Sequence, residues 1–497
     1  MITRPAVTRR PSWLAEFFFA VAFAAIMYGL VRVAQRWQAP LQSTVEISLS
    51  LWALPRYTLL SLVRGFVAYG CSLAFAVVYG YVAAHRPRAE RVLLPLLDIL
   101  QSVPVLGFLP GAVVVLLAMF PHHNAGLELV SILMICSSQA WGMAFSCYQS
   151  IKTLPSEMRE AAQLYQFNWW QRVRRVELPS AAVGLAWNSM MAMASGWFFL
   201  MICEAFTLGG RDFRLPGLGA YMSVAIARHD ATAITAGIVA MIVMIVVVDL
   251  CVWRPVLVWS QKFRLEDTAA GEAESSLILT WLSGSWFMRE TLTRIAHPLS
   301  EWLSGTAQPQ RTQSAPVRTA RRRISMTHIS GGLALLLVGA VVVWGAWRLA
   351  WLLGALPTRE WQQVIWGAGL TCVRVFAAVV LGSLWTIPVG IWIGRSDRRT
   401  KHFQPLVQIA ASFPTPMLYP LIVLGLGQLG WSLNVTAVLL MALGTQWYIL
   451  FNVIAGASAV PEDLREVAKA YHFTRWQQWR TLWWPAIFPY LVTGWVT

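Results

Sequence analysis

Residues that combine charge, aromatic rings and proline at a fixed spacing stand at two places in this sequence. Residues 155–179 read PSEMREAAQLYQFNWWQRVRRVELP, and residues 461–485 read PEDLREVAKAYHFTRWQQWRTLWWP, 306 positions further on without a gap. The chemistry these residues suit is recognition. Pro155 and Pro461 fit the first turn of a helix, where a missing N–H costs nothing. Glu157 in one copy, and Glu462 and Asp463 in the other, complement the positive end of the helix dipole. On a 3.6-residue period Met158, Ala161, Ala162 and Tyr165 fall near one another, giving a short helix whose small residues permit close approach by another surface. The stem that follows, with Trp169, Trp170, Arg172, Arg174 and Arg175 or with Trp476, Trp479, Arg480, Trp483 and Trp484, suits a membrane interface.

The elements that must position these loops are membrane spans. Hydrophobic residues make up 57% of the 497 and charged residues only 12%, a balance no soluble domain of this length can bury. Apolar runs near 13–34, 59–84, 103–120, 127–147, 181–208 and 232–253 predict six crossings before the middle of the chain. Runs near 329–353, 366–393, 414–429 and 433–457 predict four more after it. The net charge of +16 belongs to arginines at the ends of spans, so it reads as membrane topology and not as nucleic-acid binding. With Arg4, Arg9 and Arg10 inside, parity puts the N-terminus, the His85, Arg86, Arg88, Arg91 cluster and residues 155–179 on the cytoplasmic face. The first span is expected to remain as an uncleaved anchor.

The duplication is wider than the loops. At an offset of 310, Arg64 meets Arg374, Gly80 meets Gly390, Pro95 meets Pro405, and Ser102-Val103-Pro104 meets Ser412-Phe413-Pro414. The expected organisation is a first repeat over 1–260, a polar cytoplasmic linker over 261–328 and a second repeat over 329–497. Within the linker, 277–303 mixes Trp281, Trp286 and Trp302 with arginines, as either an interfacial helix or a tether. Six crossings before the linker make the repeats parallel, so residues 461–485 are also expected in the cytoplasm. Thr497 aligns with Met191, so by analogy the second repeat is expected to stop early in its fifth span, as in a truncated chain or gene model.

These loops resemble the EAA loop of permease subunits in binding-protein-dependent ABC importers. The match is Glu160-Ala161-Ala162 with Val176-Glu177-Leu178-Pro179, and more loosely Glu466-Val467-Ala468 with Trp484-Pro485. Flanking stretches, SFPTPMLYPLIVLGLG over 412–427 and CEAFTLG with PGLGAYM over 203–222, resemble the nitrate, taurine and sulfonate branch. The resemblance implies an all-α polytopic membrane protein of two tandem type I importer permease repeats in a bacterial inner membrane. It implies a fused permease, not an enzyme, working with two ATPase subunits inside and a substrate-binding protein outside. The solute it implies is a small anion of the nitrate, sulfonate/taurine or bicarbonate class. In that family the helix sits in a groove on the ATPase, so the coupling residues implied are Glu160, Ala161, Ala162, Tyr165, Gln166, Phe167 and Pro179, with Glu466, Val467, Ala468, Tyr471, His472, Phe473 and Pro485. The family has glycine where this chain has Gln166 and His472, which matters if those positions need left-handed backbone.

Other candidates are weaker. No GxxxxGK[ST] stretch occurs, so ATP is expected to be hydrolysed by a separate chain. Glu204 in a span is either a lining of the path or half of a structural ion pair. Gln139, Trp141, Asn188, Gln446 and Trp447 put hydrogen-bonding groups within the membrane, where they touch solute or hold helices together. Ser102-Val103-Pro104 and Ser412-Phe413-Pro414 are expected to cap the starts of spans. No metal site or cofactor is expected: His122-His123 lacks further ligands, and six cysteines in apolar stretches read as small core residues. The rival readings are a gradient-driven secondary transporter or channel, which calls for ionisable relays deep in the spans, and a membrane-embedded enzyme.

Overall fold

The computed structural model describes residues 45–121, 123–208, 210–263 and 357–496, with isolated helical positions between 21 and 31 and between 340 and 354. The expected spans at 13–34 and 329–353, nearly all of the linker and His122 lie outside the described residues.

Among the described residues, six helical stretches are long and apolar enough to cross a bilayer: Leu51–His85, Ala125–Lys152, Trp169–Glu204, Ala231–Phe263, Thr358–Gly394 and Leu433–Ser458. We name the first-half elements α1 (Leu54–His85), α2 (Pro87–Ser102), α3 (Leu109–Met119), α4 (Ala125–Lys152), α5 (Ser156–Leu164), α6 (Trp169–Arg172), α7 (Leu178–Glu204), α8 (Leu218–Ala227), α9 (Ala231–Val248) and α10 (Arg254–Ser260). The second half supplies α11 (Thr358–Gly394), α12 (Asp397–Ser412), α13 (Tyr419–Gln428), α14 (Leu433–Ser458), α15 (Glu462–Ala470), α16 (Arg475–Gln478) and α17 (Trp484–Val496).

Their contacts fall into two compact units. One holds the described residues up to 263 together with 391–431 and 457–460, so part of the second half packs with the first. In it, α1 buries Tyr57, Ser61, Arg64, Ala68, Ser72, Ala76, Gly80 and Ala83 along one face at helical spacing. The small residues let α4 come close: a Cβ on Gly80 would lie 2.8 Å from the Ala144 carbonyl oxygen. Met417 is buried in the same core as Met201, Leu218 and Met222. In the other unit α11 meets α14 with Gly390 against Val453, and Trp495 of α17 donates to Ser383 at 2.9 Å.

Three expectations are corrected. The crossing expected over 103–120 is broken: α2 ends at Ser102, a 3-10 turn covers Val105–Gly107, and α3 has only 11 residues. Such a helix rises about 16 Å, half of the roughly 30 Å hydrocarbon core. Pro104 is the reason, since it pushes Val103 out of helical backbone (φ −75°, ψ 125°), and Pro414 does the same to Phe413. Ser102 therefore closes a helix instead of starting one, its hydroxyl donating to the Ile99 carbonyl at 2.7 Å. Second, the span expected over 181–208 ends at Glu204; residues Ala205–Leu208 and Arg211–Arg214 form an antiparallel hairpin, the one paired-strand sheet among the described residues, which α8 follows. Third, of the six cysteines only Cys147 and Cys203 are buried.

Candidate functional site

The duplicated loops fold alike. Each begins at its proline, runs through nine helical residues (α5 or α15) and ends in left-handed backbone, at Gln166 (φ +50°) and His472 (φ +51°). At the helix ends the Phe167 amide donates to the Ala162 carbonyl and the Phe473 amide to the Ala468 carbonyl, both at 3.0 Å, the closure that normally favours glycine. A capping box then starts the next helix. Gln171 N–H donates to Asn168 Oδ1 at 2.8 Å with the return bond at 3.1 Å, and Thr474 with Gln477 repeats it at 3.3 and 2.8 Å. A π-helical turn follows in both copies, Val173–Glu177 and Trp479–Trp483, leading to Pro179 in α7 and Pro485 in α17.

Ala162 and Ala468 are the inward residues, Ala162 packing with Leu154 and Val176. Glu160, Ala161, Glu466 and Val467 face outward, as do Tyr165 at 72% and Tyr471 at 74% exposure. Met158 and Ala162 thus lie on one face and Ala161 and Tyr165 on the other. Each tyrosine packs on its neighbouring Phe167 or Phe473, at 6.0 and 6.4 Å between ring centroids.

What fastens the loops differs. In the first, Trp169 donates to the Tyr81 hydroxyl at 2.5 Å, Tyr81 stacks on His85, and His85 Nε2 lies 2.9 Å from Glu177 Oε1, with Arg172 Nε 2.8 Å from the same oxygen. Glu177 Oε2 is buried with no hydrogen-bond partner. Arg159 donates to the Lys152 carbonyl at 2.8 Å, closing the end of α4. On α2, Lys152 and Tyr148 hold the Glu90 carboxyl below the usual carboxylate range through bonds of 2.7 Å each. In the second loop Trp483 stands where the first has Glu177, and the Arg465 guanidinium lies 5.6 Å from its ring.

The strongest ion network lies elsewhere, and the sequence reading missed most of it. Arg64 of α1 grips Glu128 of α4 with two bonds, 2.7 and 2.8 Å, and also bonds Glu204 at the end of α7; all three are fully buried. Ser61 donates to Glu204 Oε1 at 2.6 Å, Leu218 N–H donates to Ser61 Oγ at 2.9 Å, and Gly219 N–H donates to Glu204 Oε2 at 2.7 Å. The network ties the start of α8 to three helices. An arginine and a glutamate inside apolar runs were the available signal, because each needs a partner there. The equivalent Arg374 meets a neutral Asn434 at 2.5 Å.

The other polar positions serve helix contacts. Gln139 accepts from Ser72 at 3.1 Å, Trp141 sets its edge on Phe75, and Asn188 donates to the Gly184 carbonyl of its own helix at 3.0 Å. Gln446 and Trp447 meet at Trp385, whose indole donates to Gln446 at 3.0 Å. None of these residues, nor Glu204, lines the 240 Å³ cavity between α7, α8 and residues 416–420. No cluster of metal-binding side chains occurs among the described residues.

The model of the family described as binding-protein-dependent transport system inner membrane component matches residues 76–254 and 386–497, together more than half of the chain. Among similar proteins, the nitrate import permease protein NrtB of Synechocystis sp. is 30% identical over 129 residues, 26% of this chain and 44% of its own. The putative aliphatic sulfonates transport permease protein SsuC of Bacillus subtilis is 22% identical over 145 residues, 29% of this chain and 50% of its own. The glycine betaine/proline betaine transport system permease protein ProW of Escherichia coli is 25% identical over 216 residues, 40% of this chain and 58% of its own. The chain thus spans about half the length of each of these relatives.

Proposed function

The chain belongs to the family of binding-protein-dependent transport system inner membrane components, and from that premise we propose that it is the permease of an ATP-driven importer, carrying two repeats of one solute path. Residues 155–179 and 461–485 are its cytoplasmic coupling loops, and each docks into a separate ATPase subunit while a binding protein delivers solute on the opposite face. The linker 261–328 joins the repeats on the ATPase side. The cargo is a small anion of the class the nitrate and sulfonate relatives are named for.

One observation carries this reading. Two loops of different sequence reach the same fold, helix, left-handed stop, capping box and π turn, and both leave an acidic residue and a tyrosine uncovered at the same place. Exposed aromatic groups on rigid supports are what a partner surface reads. Two such surfaces supply two levers, and nucleotide states that bind the levers differently shift the path between its accessible states.

The test is gentle extraction from native membrane and a search for a co-purifying ATPase with a phosphate-binding loop. The expected result is one such subunit per coupling loop, with association weakened at least tenfold by joint Glu160→Lys and Glu466→Lys while the chain stays inserted. Wild-type association in that double variant, or no ATPase at all, contradicts the proposal.

A further inference from the structure

We propose that the cavity between α7, α8 and residues 416–420 is a solute-binding chamber that reads a short aliphatic body and not a bare inorganic anion. This rests on the permease reading and narrows it. The cavity measures about 240 Å³, room for a solute of a few carbon atoms, and is partly open to its surroundings. Its walls are Met201 and Ile202 on α7, Met222, Ser223 and Ile226 on α8, and Met417 with its flanking prolines across from them. Thioethers and aliphatic groups dominate, one hydroxyl is present, and among the described residues no charged side chain lines the space. Methionines adapt their shape to varied apolar ligands.

A small anion needs a cation or free N–H groups to replace its water. The first turn of α8 would normally offer both helix dipole and amides. Here the first two amides are already taken: Leu218 N–H donates to Ser61 and Gly219 N–H to Glu204, whose carboxylate sets a negative charge at that helix end. The nearby Arg64 is shared between two carboxylates and sealed from the cavity. Gly219 belongs to both structures, standing in the cavity wall while its amide is held; a Cβ there would meet the Met201 carbonyl oxygen at 2.6 Å. The network therefore fixes the α8 wall while taking two of its leading amides and placing the Glu204 carboxylate beside them, which weakens its attraction for negative charge. What remains is area for methylene groups, with the polar head of the solute left in the open part of the cavity.

The experiment is calorimetry on the purified chain in lipid nanodiscs, titrated with methane-, ethane-, propane- and butanesulfonate and, separately, with sodium nitrate. Each added methylene is expected to tighten binding about fourfold, the factor that follows from about 0.8 kcal/mol per buried CH₂. Nitrate is expected to give no saturable signal. Met222→Trp, which fills the space, should abolish the chain-length gradient; Ile226→Ala, a gentler change to the fold, should move the optimum to a longer chain. Nitrate binding as tight as butanesulfonate, a flat chain-length series, or an unaltered series in both variants overturns the assignment. An ATPase that still co-purifies in those cases leaves the permease reading intact, and a normal series without any ATPase partner sinks the permease reading while supporting the chamber.

Discussion

Gln166 and His472 hold left-handed backbone that costs a side-chain-bearing residue on the order of 1 kcal/mol. Replacing both with glycine is expected to stabilise the purified chain by about 1 kcal/mol per site, read as a higher melting temperature; an unchanged or lower melting temperature would mean that the side chains hold these turns. Arg64 makes the opposite case. Arg64→Leu leaves Glu128 and Glu204 buried without their cation, so a loss of about 3–5 kcal/mol is expected, against about 1 kcal/mol for Arg374→Leu, whose partner is a neutral amide. Equal losses in thermal unfolding would contradict the assignment of these roles. The left-handed positions were legible because the glycine of the resembled motif posed the question at those two numbers. The Arg64 network was not, since Arg64, Glu128 and Glu204 lie far apart in sequence and meet only through the close crossing of α1 and α4 and the return of α8.

Among elements, capping chemistry outlasts sequence identity: Asn168 and Thr474 differ, yet each exchanges bonds with a glutamine three residues on. Asn168→Ala or Thr474→Ala is expected to cost about 1 kcal/mol locally, which hydrogen exchange reports as about fivefold faster exchange at the Gln171 or Gln477 amide. No change at those amides would mean that the π turns alone hold the stems. The long spans were legible because lipid-facing and core-facing residues are both apolar, so length alone marks them. The stretch at 103–120 was misread for the same reason: hydropathy runs on through Pro104, but backbone geometry does not. The hairpin after Glu204 was hidden in a run apolar enough to pass for more span, and α8 was covered only by the resembled PGLGAYM motif.

For the whole molecule, duplication is the organising fact, and the family match finds it in both halves. The repeats are nonetheless unequal. The first carries a buried ion network where the second has Asn434, and it fastens its loop through Glu177 where the second uses Trp483. Residues 391–431 pack into the same unit as the first half, a division that linear repeat boundaries do not convey, because helix packing follows complementary faces and not chain order. To act as the proposed coupling loops, residues 155–179 and 461–485 must both face the cytoplasm. Single cysteines at Tyr165 and Tyr471, introduced after the six natural cysteines are replaced, test this with a membrane-impermeant maleimide. Labelling of both sites in inside-out vesicles and of neither in intact spheroplasts is the predicted result; labelling of either site from outside would contradict it.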